Sequence, residues 1–471
     1  MKSFILSLIA LIVGFLIYSK VVEKVFGADE NRKTPATRLA DGVDYMVLPR
    51  WKIFLIQFLN IAGLGPIFGA IAGALWGPSS FLWIVLGSIF AGGVHDYFSG
   101  MLSIRHDGES ISEVTGHYLG NGVRQFMRVF SVLVLVLVGV VFTSGPAGLL
   151  ASITSVGKST WLYIIFAYFL VATLVPIDKL IGKIYPIFGI VLLIMAFGVG
   201  GGLITQGYNI PEINFTNMHP SNLPMWPLMF ITIACGAISG FHSTQSPIMA
   251  RCVENEKDGR IIFYGAMIAE GVVALIWAAA AMTFFGSTEA LAEAMSANGG
   301  AAYVVNIISN TLLGKVGGFL AILGVIVCPI TSGDTAFRSA RLTIADMMNF
   351  KQQEIKKRLM IAIPIFAIGF VLTKIDFSII WRYFAWSNQT LAMIVLWTAA
   401  AFLAVNKRNY WIAAIPATFM SAVVSTYILI APEGFKLSAT ISYPIGIGFA
   451  LVLFILFMRF VKQKSGSIEA K

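Results

Sequence analysis

Two apolar stretches of the sequence are interrupted near their middles. The first runs from about residue 52 to 76 and is broken by Asn60-Ile61-Ala62-Gly63-Leu64-Gly65-Pro66. The second runs from about 226 to 249 and is broken by Ala234-Cys235-Gly236-Ala237-Ile238-Ser239-Gly240-Phe241-His242-Ser243. A break inside a membrane helix frees backbone N–H and C=O groups that lipid cannot satisfy. The paired breaks therefore indicate a cavity or a ligand site at the centre of a membrane domain.

The composition of the chain supports a membrane location. Of the 471 residues, 57% are hydrophobic and only 12% are charged, and the mean hydropathy is +0.82. A water-soluble protein of this size would not remain dispersed with such a composition. Because no soluble-type stretch longer than about 30 residues separates the apolar runs, we expect one membrane domain without an extramembrane catalytic module.

Apolar runs of about 20 residues predict an all-α membrane protein with about 13 transmembrane helices. The runs lie near 3–19, 52–76, 81–104, 125–149, 160–176, 187–205, 226–249, 260–285, 316–336, 359–373, 378–404, 409–431 and 440–461. No small-x-small cleavage site follows the first run, so we interpret it as a retained helix and not as a signal peptide.

The distribution of basic residues predicts the orientation of these helices. With the N-terminus outside and the C-terminus in the cytoplasm, 27 of the 33 Lys and Arg residues fall in cytoplasmic segments. The net charge of +10 is then a signal of membrane topology and not of nucleic-acid binding. We expect a multi-pass protein of a bacterial inner membrane, with membrane lipid and a small-molecule substrate as its partners. The sequence leaves the oligomeric state open.

Each break lies in the first span of a group of five spans, and the two groups are similar. This predicts a five-plus-five inverted repeat with a discontinuous first helix in each repeat. A weaker similarity is Thr-Ser-Gly at 143–145 and again at 331–333. Residues 286–312 are expected to form an amphipathic external segment that caps the site. The predicted units are an N-terminal peripheral helix (1–22), a cytoplasmic loop (23–51), the two repeats (52–205 and 226–404), and two peripheral C-terminal helices with a tail (405–471).

The breaks supply the candidate substrate-binding residues. Freed helix N-termini suit a carboxylate, and freed carbonyl groups suit a cation. The glycines could instead serve only close helix packing or a kink at Pro66. His242 could instead be an ordinary packing residue. The candidates are Asn60, Gly63, Gly65, Gly236, Ser239, Gly240 and His242.

Ionisable residues within apolar spans supply the candidates for ion coupling, because such groups are costly in a membrane unless they pair or face water. His95, Asp96 and Glu270 are candidates for a proton relay or a gate. For His95 and Asp96, the alternatives are a structural hydrogen bond or a wet position near the cytoplasmic end.

A second candidate for ion coupling lies in the ninth span. Thr331, Ser332 and Asp334 could complete a site for H⁺ or Na⁺ with carbonyl groups of the first break. Alternatively, Asp334 pairs with Arg338 four residues further on.

Other polar groups have simpler interpretations. Arg382 is expected to snorkel to the outer interface, and Asn388 and Gln389 to bridge helices. Cys235, Cys252 and Cys328 lie too far apart in the sequence to indicate a disulfide framework or a zinc site. We therefore expect no cofactor other than the coupling ion.

Several motifs in order resemble the carbon starvation protein A (CstA) family. They are PATRLADGVDY (35–45), IAGLGP (61–66), AGGVHD (91–96), ACGAISGFH (234–242), YGAM (264–267) and SNQTLA (387–392). The resemblance covers nearly the whole chain, which looks like a short member. It implies the inverted-repeat, LeuT-like fold of the amino acid, polyamine and organocation superfamily, and transport of peptides or pyruvate, commonly coupled to protons. Where the family usually has Gln before the Asp of its third span, this sequence has His95.

The leading hypothesis is therefore a cation-coupled secondary transporter that imports a small metabolite, most simply pyruvate or short peptides. One alternative is an amino-acid transporter of the same fold. Another is a passive channel, which would need rings of polar residues along a pore. The sequence contains no H-E-x-x-H or G-x-S-x-G motif and no metal cluster, so we do not expect an enzyme.

Overall fold

The computed structural model describes residues 1–42, 45–174, 177–297, 300–348, 350 and 354–469, and every regular element in these ranges is helical. Ten helices are long and apolar enough to cross a membrane. They are Lys2–Phe26, Ser79–Arg105, Asn121–Ile153, Pro186–Thr205, Met225–Ala250, Glu256–Phe284, Gly317–Ala345, Phe377–Val405, Trp411–Ile430 and Ala439–Gln463.

An eleventh span is a bent pair of helices, Arg50–Ile61 and Gly65–Trp76, whose axes differ by 55°. The remaining two predicted spans coincide with the helices Lys158–Leu174 and Ile355–Leu372. The first is short for a membrane span, and the second begins with a run of basic residues. Length and hydropathy thus support up to eleven spans and leave the predicted number of thirteen unconfirmed.

Short helices lie between the long ones. They are Pro35–Arg38, Ile111–Leu119 and Thr288–Ala297. The helix Thr288–Ala297 belongs to the predicted external segment 286–312. Its Thr288 hydroxyl donates at 2.7 Å to the carbonyl of Met218, in the loop after Pro186–Thr205. Residues 301–312 of the predicted segment form the start of the long helix Ala301–Met347, which is interrupted at Gly314, where φ is +68°.

The N-terminal helix is longer than the sequence predicted. It continues past residue 22 to Phe26, because Val22 and Phe26 are apolar and fully buried against the bundle. The helix ends at Gly27, which adopts the left-handed conformation (φ +73°) typical of a helix C-terminus. The predicted cytoplasmic loop 23–51 therefore begins with the last turn of this helix, and the boundary at residue 22 is wrong.

Burial separates a central bundle from peripheral helices. In the most apolar windows of Ser79–Arg105, Glu256–Phe284 and Phe377–Val405, 83% of residues are buried. In Lys2–Phe26 the share is 22%, and in Ala439–Gln463 it is 17%. The two broken helices lie in the central bundle, where their halves contact each other and the Glu256–Phe284 helix.

Contacts between loops group them onto two faces of the molecule. On one face, the amino group of Met1 donates to Glu212 in the loop that follows Pro186–Thr205, at 2.9 Å. On the other face, Arg105 forms two hydrogen bonds to the fully buried Glu256 at 2.5 and 2.8 Å. The predicted topology places Met1 with Glu212 on one side and Arg105 with Glu256 on the other, as these contacts require.

Candidate functional site

The first break lies between the helices Arg50–Ile61 and Gly65–Trp76, which together we call the first broken helix. Asn60, in the last turn before the break, is fully buried. Neither polar atom of its side chain has a hydrogen-bond partner among the residues that the structure describes. Since an unsatisfied buried polar group costs about 1–3 kcal/mol, this amide is a strong candidate to contact a polar ligand.

The second break lies within Met225–Ala250, which we call the second broken helix. The α-helix ends at Ile233, a 3₁₀ turn follows over Ala234–Gly236, and the α-helix resumes at Gly240. Ser239, just before it resumes, is extended, with φ −146° and ψ 120°. Asn388 of the Phe377–Val405 helix fills the gap. Its Oδ1 accepts from the Phe241 backbone N–H at 2.6 Å and from the Ser239 hydroxyl at 3.2 Å. The break is thus held by a side chain from another helix.

The two breaks contact each other. A Cβ atom on Gly65, at the start of the second half of the first broken helix, would overlap the side chain of Cys235 in the second break. Similarly, a Cβ on Gly240 would overlap the Asn388 carbonyl and lie 2.6 Å from the Ala392 nitrogen. Glycine at these two positions is therefore required for the close approach of the backbones.

Four ionisable side chains meet beside the second break, and we call them the His–Asp–His–Glu cluster. Asp96 is the centre of the cluster: its Oδ1 lies 2.7 Å from His95 Nδ1, and its Oδ2 lies 2.8 Å from His242 Nδ1. The other ring nitrogen of His242, Nε2, lies 3.2 Å from Glu270 Oε2. This last contact has the distance of an ion pair but not the alignment of a hydrogen bond.

Three different helices contribute the cluster. His95 and Asp96 come from Ser79–Arg105, His242 follows the break of the second broken helix, and Glu270 comes from Glu256–Phe284. All four side chains have no solvent-exposed area. The alternative of a wet position for His95 and Asp96 is therefore wrong. Two acids and two bases, all able to exchange protons, form one continuous chain next to the break.

The candidate coupling-ion residues lie against the first break. The Ser332 hydroxyl donates to the Leu59 carbonyl at 3.2 Å and to the Cys328 carbonyl at 3.1 Å. The Thr331 hydroxyl also donates to the Cys328 carbonyl, at 2.7 Å, and the Cys328 thiol donates to the Ala62 carbonyl at 2.7 Å. The Ser332 hydroxyl and the Cys328 thiol thus join this helix to two carbonyl groups at the first break, and the Thr331 hydroxyl bonds to its own helix.

Asp334 does not share this arrangement. Its carboxylate lies 3.7 Å from the guanidinium of Arg338, one turn further along the same helix. Arg338 also donates to the Ala172 carbonyl at 2.7 Å. The alternative interpretation of Asp334, an i, i+4 ion pair, is therefore the observed one.

Sequence reasoning underestimated one site residue and misplaced another. Asn388 and Gln389 do bridge helices, as expected, and Gln389 donates to the Phe230 carbonyl at 2.7 Å. However, the bonds of Asn388 to the second break make it part of the candidate site. The polar Ser-Asn-Gln run inside an apolar span was the available signal. Arg382, expected to snorkel to the interface, instead pairs with Glu433 at 3.0 Å.

These features define a class of protein: a multi-pass helical membrane protein whose candidate site is built from two helix breaks in a buried bundle. Solved transporters share this fold. A manganese transporter of Eremococcus coleocola, in complex with an aromatic bis-isothiourea substituted compound, has a TM-score of 0.58 at 12% identity and covers 90% of this chain and 99% of its own. A nucleobase-cation-symport-1 family transporter with bound bromovinylhydantoin has a TM-score of 0.56 at 17% identity. The match covers 89% of this chain and 94% of that transporter.

The protein belongs to the carbon starvation protein CstA family, whose model matches residues 1–215 and 145–311. The family resemblance found in the sequence is thereby confirmed. A protein of Haemophilus influenzae, named only as an uncharacterized membrane protein, is 46% identical over an alignment of 341 positions, which covers 61% of this chain and 92% of that protein.

Relatives with functional names are more distant. A peptide transporter CstA of Campylobacter jejuni is 27% identical over an alignment of 348 positions, which covers 56% of this chain and 47% of that protein. The pyruvate/proton symporter BtsT of Escherichia coli is 26% identical over an alignment of 347 positions, which covers 56% of this chain and 46% of that protein. The match spans about half the length of these two relatives. Both are transporters, in agreement with the prediction that the chain is not an enzyme.

Proposed function

We propose that this protein is a cation-coupled secondary transporter that imports a small polar metabolite, pyruvate or a short peptide, by alternating access. The observation that carries the proposal is the contact between the two helix breaks, which are buried and have the unsatisfied Asn60 amide beside them. The relatives named as a peptide transporter and as a pyruvate/proton symporter support the choice of substrates.

The proposed architecture is the five-plus-five inverted repeat over 52–205 and 226–404, within thirteen spans. The corresponding positions of the two breaks support it. The third helices of the proposed repeats, Asn121–Ile153 and Ala301–Met347, also pack extensively against each other. The protein would lie in a bacterial inner membrane with its N-terminus outside, because basic residues then concentrate in the cytoplasm.

The substrate is proposed to bind between the breaks. The helix that begins at Gly65 has no side-chain cap, so the positive end of its dipole is available to a carboxylate. The Asn60 amide, which can donate and accept, would bind a second polar group. The rest of the proposed lining consists of Gly63, Gly236, Ser239, Gly240 and His242.

Two groups of residues are proposed for the coupling ion. For proton coupling, the His–Asp–His–Glu cluster would take up and release H⁺ as His242 moves with the second broken helix. For sodium coupling, the Thr331 and Ser332 hydroxyls would turn from donating to the Cys328 carbonyl to binding Na⁺ together with the Leu59 and Ala62 carbonyls. Asp334 takes part in neither scheme, since Arg338 already neutralises it.

The decisive experiment measures uptake of labelled pyruvate and of labelled dipeptides into proteoliposomes that contain the purified protein. A pH gradient and a Na⁺ gradient are imposed separately. We expect one gradient to drive accumulation above the equilibrium level, with saturation and counterflow. Equal flux with and without either gradient would reject coupling, and flux without saturation or counterflow would indicate a channel.

Two variants separate the coupling ions. Asp96→Asn removes the central carboxylate of the cluster, and Ser332→Ala removes one oxygen of the candidate cation site. If H⁺ is the coupling ion, Asp96→Asn should abolish accumulation and Ser332→Ala should preserve it. The opposite pattern is expected for Na⁺. Loss in Asp334→Asn alone would contradict both assignments.

A further inference from the structure

A second group of histidines lies outside the bundle, on the face of the molecule that carries Arg105 and Glu256. His106 directly follows the Ser79–Arg105 helix, Glu109 lies in the next turn, and His117 lies in the Ile111–Leu119 helix. The candidate ligand atoms of these three side chains all lie within 4.8 Å of one another. We call this group the His–Glu–His triad.

The side chains of the triad are already in contact with each other. The imidazole rings of His106 and His117 stack with centroids 4.6 Å apart and planes 11° from parallel. The Nε2 atom of His117 lies 2.7 Å from Glu109 Oε2, which joins two members of the triad. The Nε2 atom of His106 lies 2.8 Å from the Tyr118 hydroxyl, an outer contact of the kind that fixes the ring orientation of a metal ligand.

The backbone that carries the triad is held on both sides. The turn has two successive residues of positive φ, Asp107 at +54° and Gly108 at +77°. The Ser103 hydroxyl donates to the Glu109 carbonyl at 2.8 Å, and the Arg251 guanidinium donates to the Gly108 carbonyl at 3.1 Å. Arg251 directly follows the second broken helix. The turn is therefore anchored to two core helices.

We propose that His106, Glu109 and His117 form a binding site for a divalent transition-metal ion, with Zn²⁺ as the best match. Two imidazoles and one carboxylate form a ligand set common for zinc, and a fourth position remains open to solvent. The Glu109 and His117 side chains are 41% and 44% exposed, so an ion can reach them.

An ion would require the three side chains to move. In a tetrahedral site with bonds of about 2.0–2.1 Å to Zn²⁺, ligand atoms lie about 3.4 Å apart. The ligand atoms of the triad lie within 4.8 Å of one another, so they would have to approach by up to about 1.4 Å. Because the lone pair of an imidazole nitrogen lies in the ring plane, one of the two stacked rings would also have to turn about its side-chain bonds.

The test is calorimetric titration of Zn²⁺ into the full-length protein in nanodiscs, after any affinity tag has been removed. We expect about one high-affinity ion per chain, and at least a tenfold loss of affinity in His106→Ala and in His117→Ala, roughly the range known for metal-site variants. His219→Ala is the matched control, because His219 lies in the loop on the opposite face and should not alter binding. Wild-type affinity in the double variant His106→Ala/His117→Ala would reject the site.

A spectroscopic variant guards against loss of affinity through misfolding. In His117→Cys the new thiolate would remain a metal ligand, and the three native cysteines are buried. With Co²⁺ this variant should show the absorption band of a cobalt–thiolate bond, which the wild type should lack. A folded His117→Cys protein without that band would contradict the proposal.

Discussion

Asp96 is a single carboxylate that two imidazoles share, since each of its oxygens contacts a different histidine. Removing it leaves His95 without a carboxylate and His242 with Glu270 alone, and breaking a buried ion pair costs about 3–5 kcal/mol. We expect Asp96→Ala to lower the free energy of unfolding by about that amount, measured by chemical denaturation in detergent. Asp376→Ala, which removes an exposed helix-capping carboxylate, should cost only about 0.5–2 kcal/mol.

Asn388 supports the second break through the Phe241 N–H and the Ser239 hydroxyl. In Asn388→Ala the buried N–H would lose its acceptor, at a cost of about 1–3 kcal/mol. We expect lower thermal stability and a marked loss of uptake.

Asn406→Ala is the matched control for Asn388→Ala. Asn406 follows the end of the same helix, and its side-chain amide donates to the Phe402 carbonyl at 2.8 Å. Uptake should remain near the wild-type value in this variant. Wild-type uptake in Asn388→Ala would show that the second break does not depend on this side chain.

The sequence predicted the residues of the His–Asp–His–Glu cluster but not their contacts. An ionisable group in an apolar span stands out by its cost, which is why His95, Asp96 and Glu270 were recognisable. Their partner His242 is 146 residues from Asp96 in the chain. Only the packing of three helices brings these side chains together, and helix packing is not encoded in local hydropathy.

At the level of elements, the contact between the breaks predicts a strong steric effect. In Gly65→Ala the new methyl group would overlap Cys235 and push the two broken helices apart. We expect loss of uptake and a lower melting temperature. The double variant Gly65→Ala/Cys235→Gly removes the overlapping side chain and should restore part of both.

Gly201→Ala is the control for Gly65→Ala. Gly201 lies in the Ile177–Thr205 helix with open space where a Cβ would be. Alanine is favoured over glycine in a helix by about 1 kcal/mol, so this variant should be at least as stable as the wild type. If Gly65→Ala behaves in the same way, the breaks are not in close contact.

Hydropathy located the helices but not all of their ends. The N-terminal helix continues to Phe26, and the ninth span, predicted over 316–336, continues within the helix Ala301–Met347. In both places a mixed polar and apolar sequence remains helical because one side of it packs on the bundle. The positions of the breaks were predictable, because glycine clusters are visible in an otherwise apolar run.

At the scale of the whole molecule, the proposed orientation predicts which loops face the outside. Phe215 lies in the loop after Pro186–Thr205 and is 82% exposed. Lys257 lies on the opposite face and is also exposed. The variants Phe215→Cys and Lys257→Cys each place one accessible thiol at these positions. A membrane-impermeant maleimide added to intact spheroplasts should label Phe215→Cys but not Lys257→Cys, which should react only after lysis. The reverse pattern would invert the orientation.

The order of helices and the two faces followed from the sequence, because hydropathy and basic residues report directly on crossing a membrane. The three-dimensional arrangement did not. Nothing in the sequence shows that Asn388 lies beside Ser239, 149 residues away. Solved transporters share the fold at only 12–17% identity, so the arrangement of the helices is retained where few residues are the same.

The close contact of Gly65 with Cys235 also bears on leakage. The Cys235 side chain fills the place where Gly65 would carry a Cβ, so protein atoms occupy the space between the breaks at this point. In the proposed transporter, an ion that arrives alone would have to separate the breaks without the binding energy that a substrate supplies. The contact that leaves no room for a methyl group would then act as a seal, and it would keep the ion gradient from running down when no substrate is present.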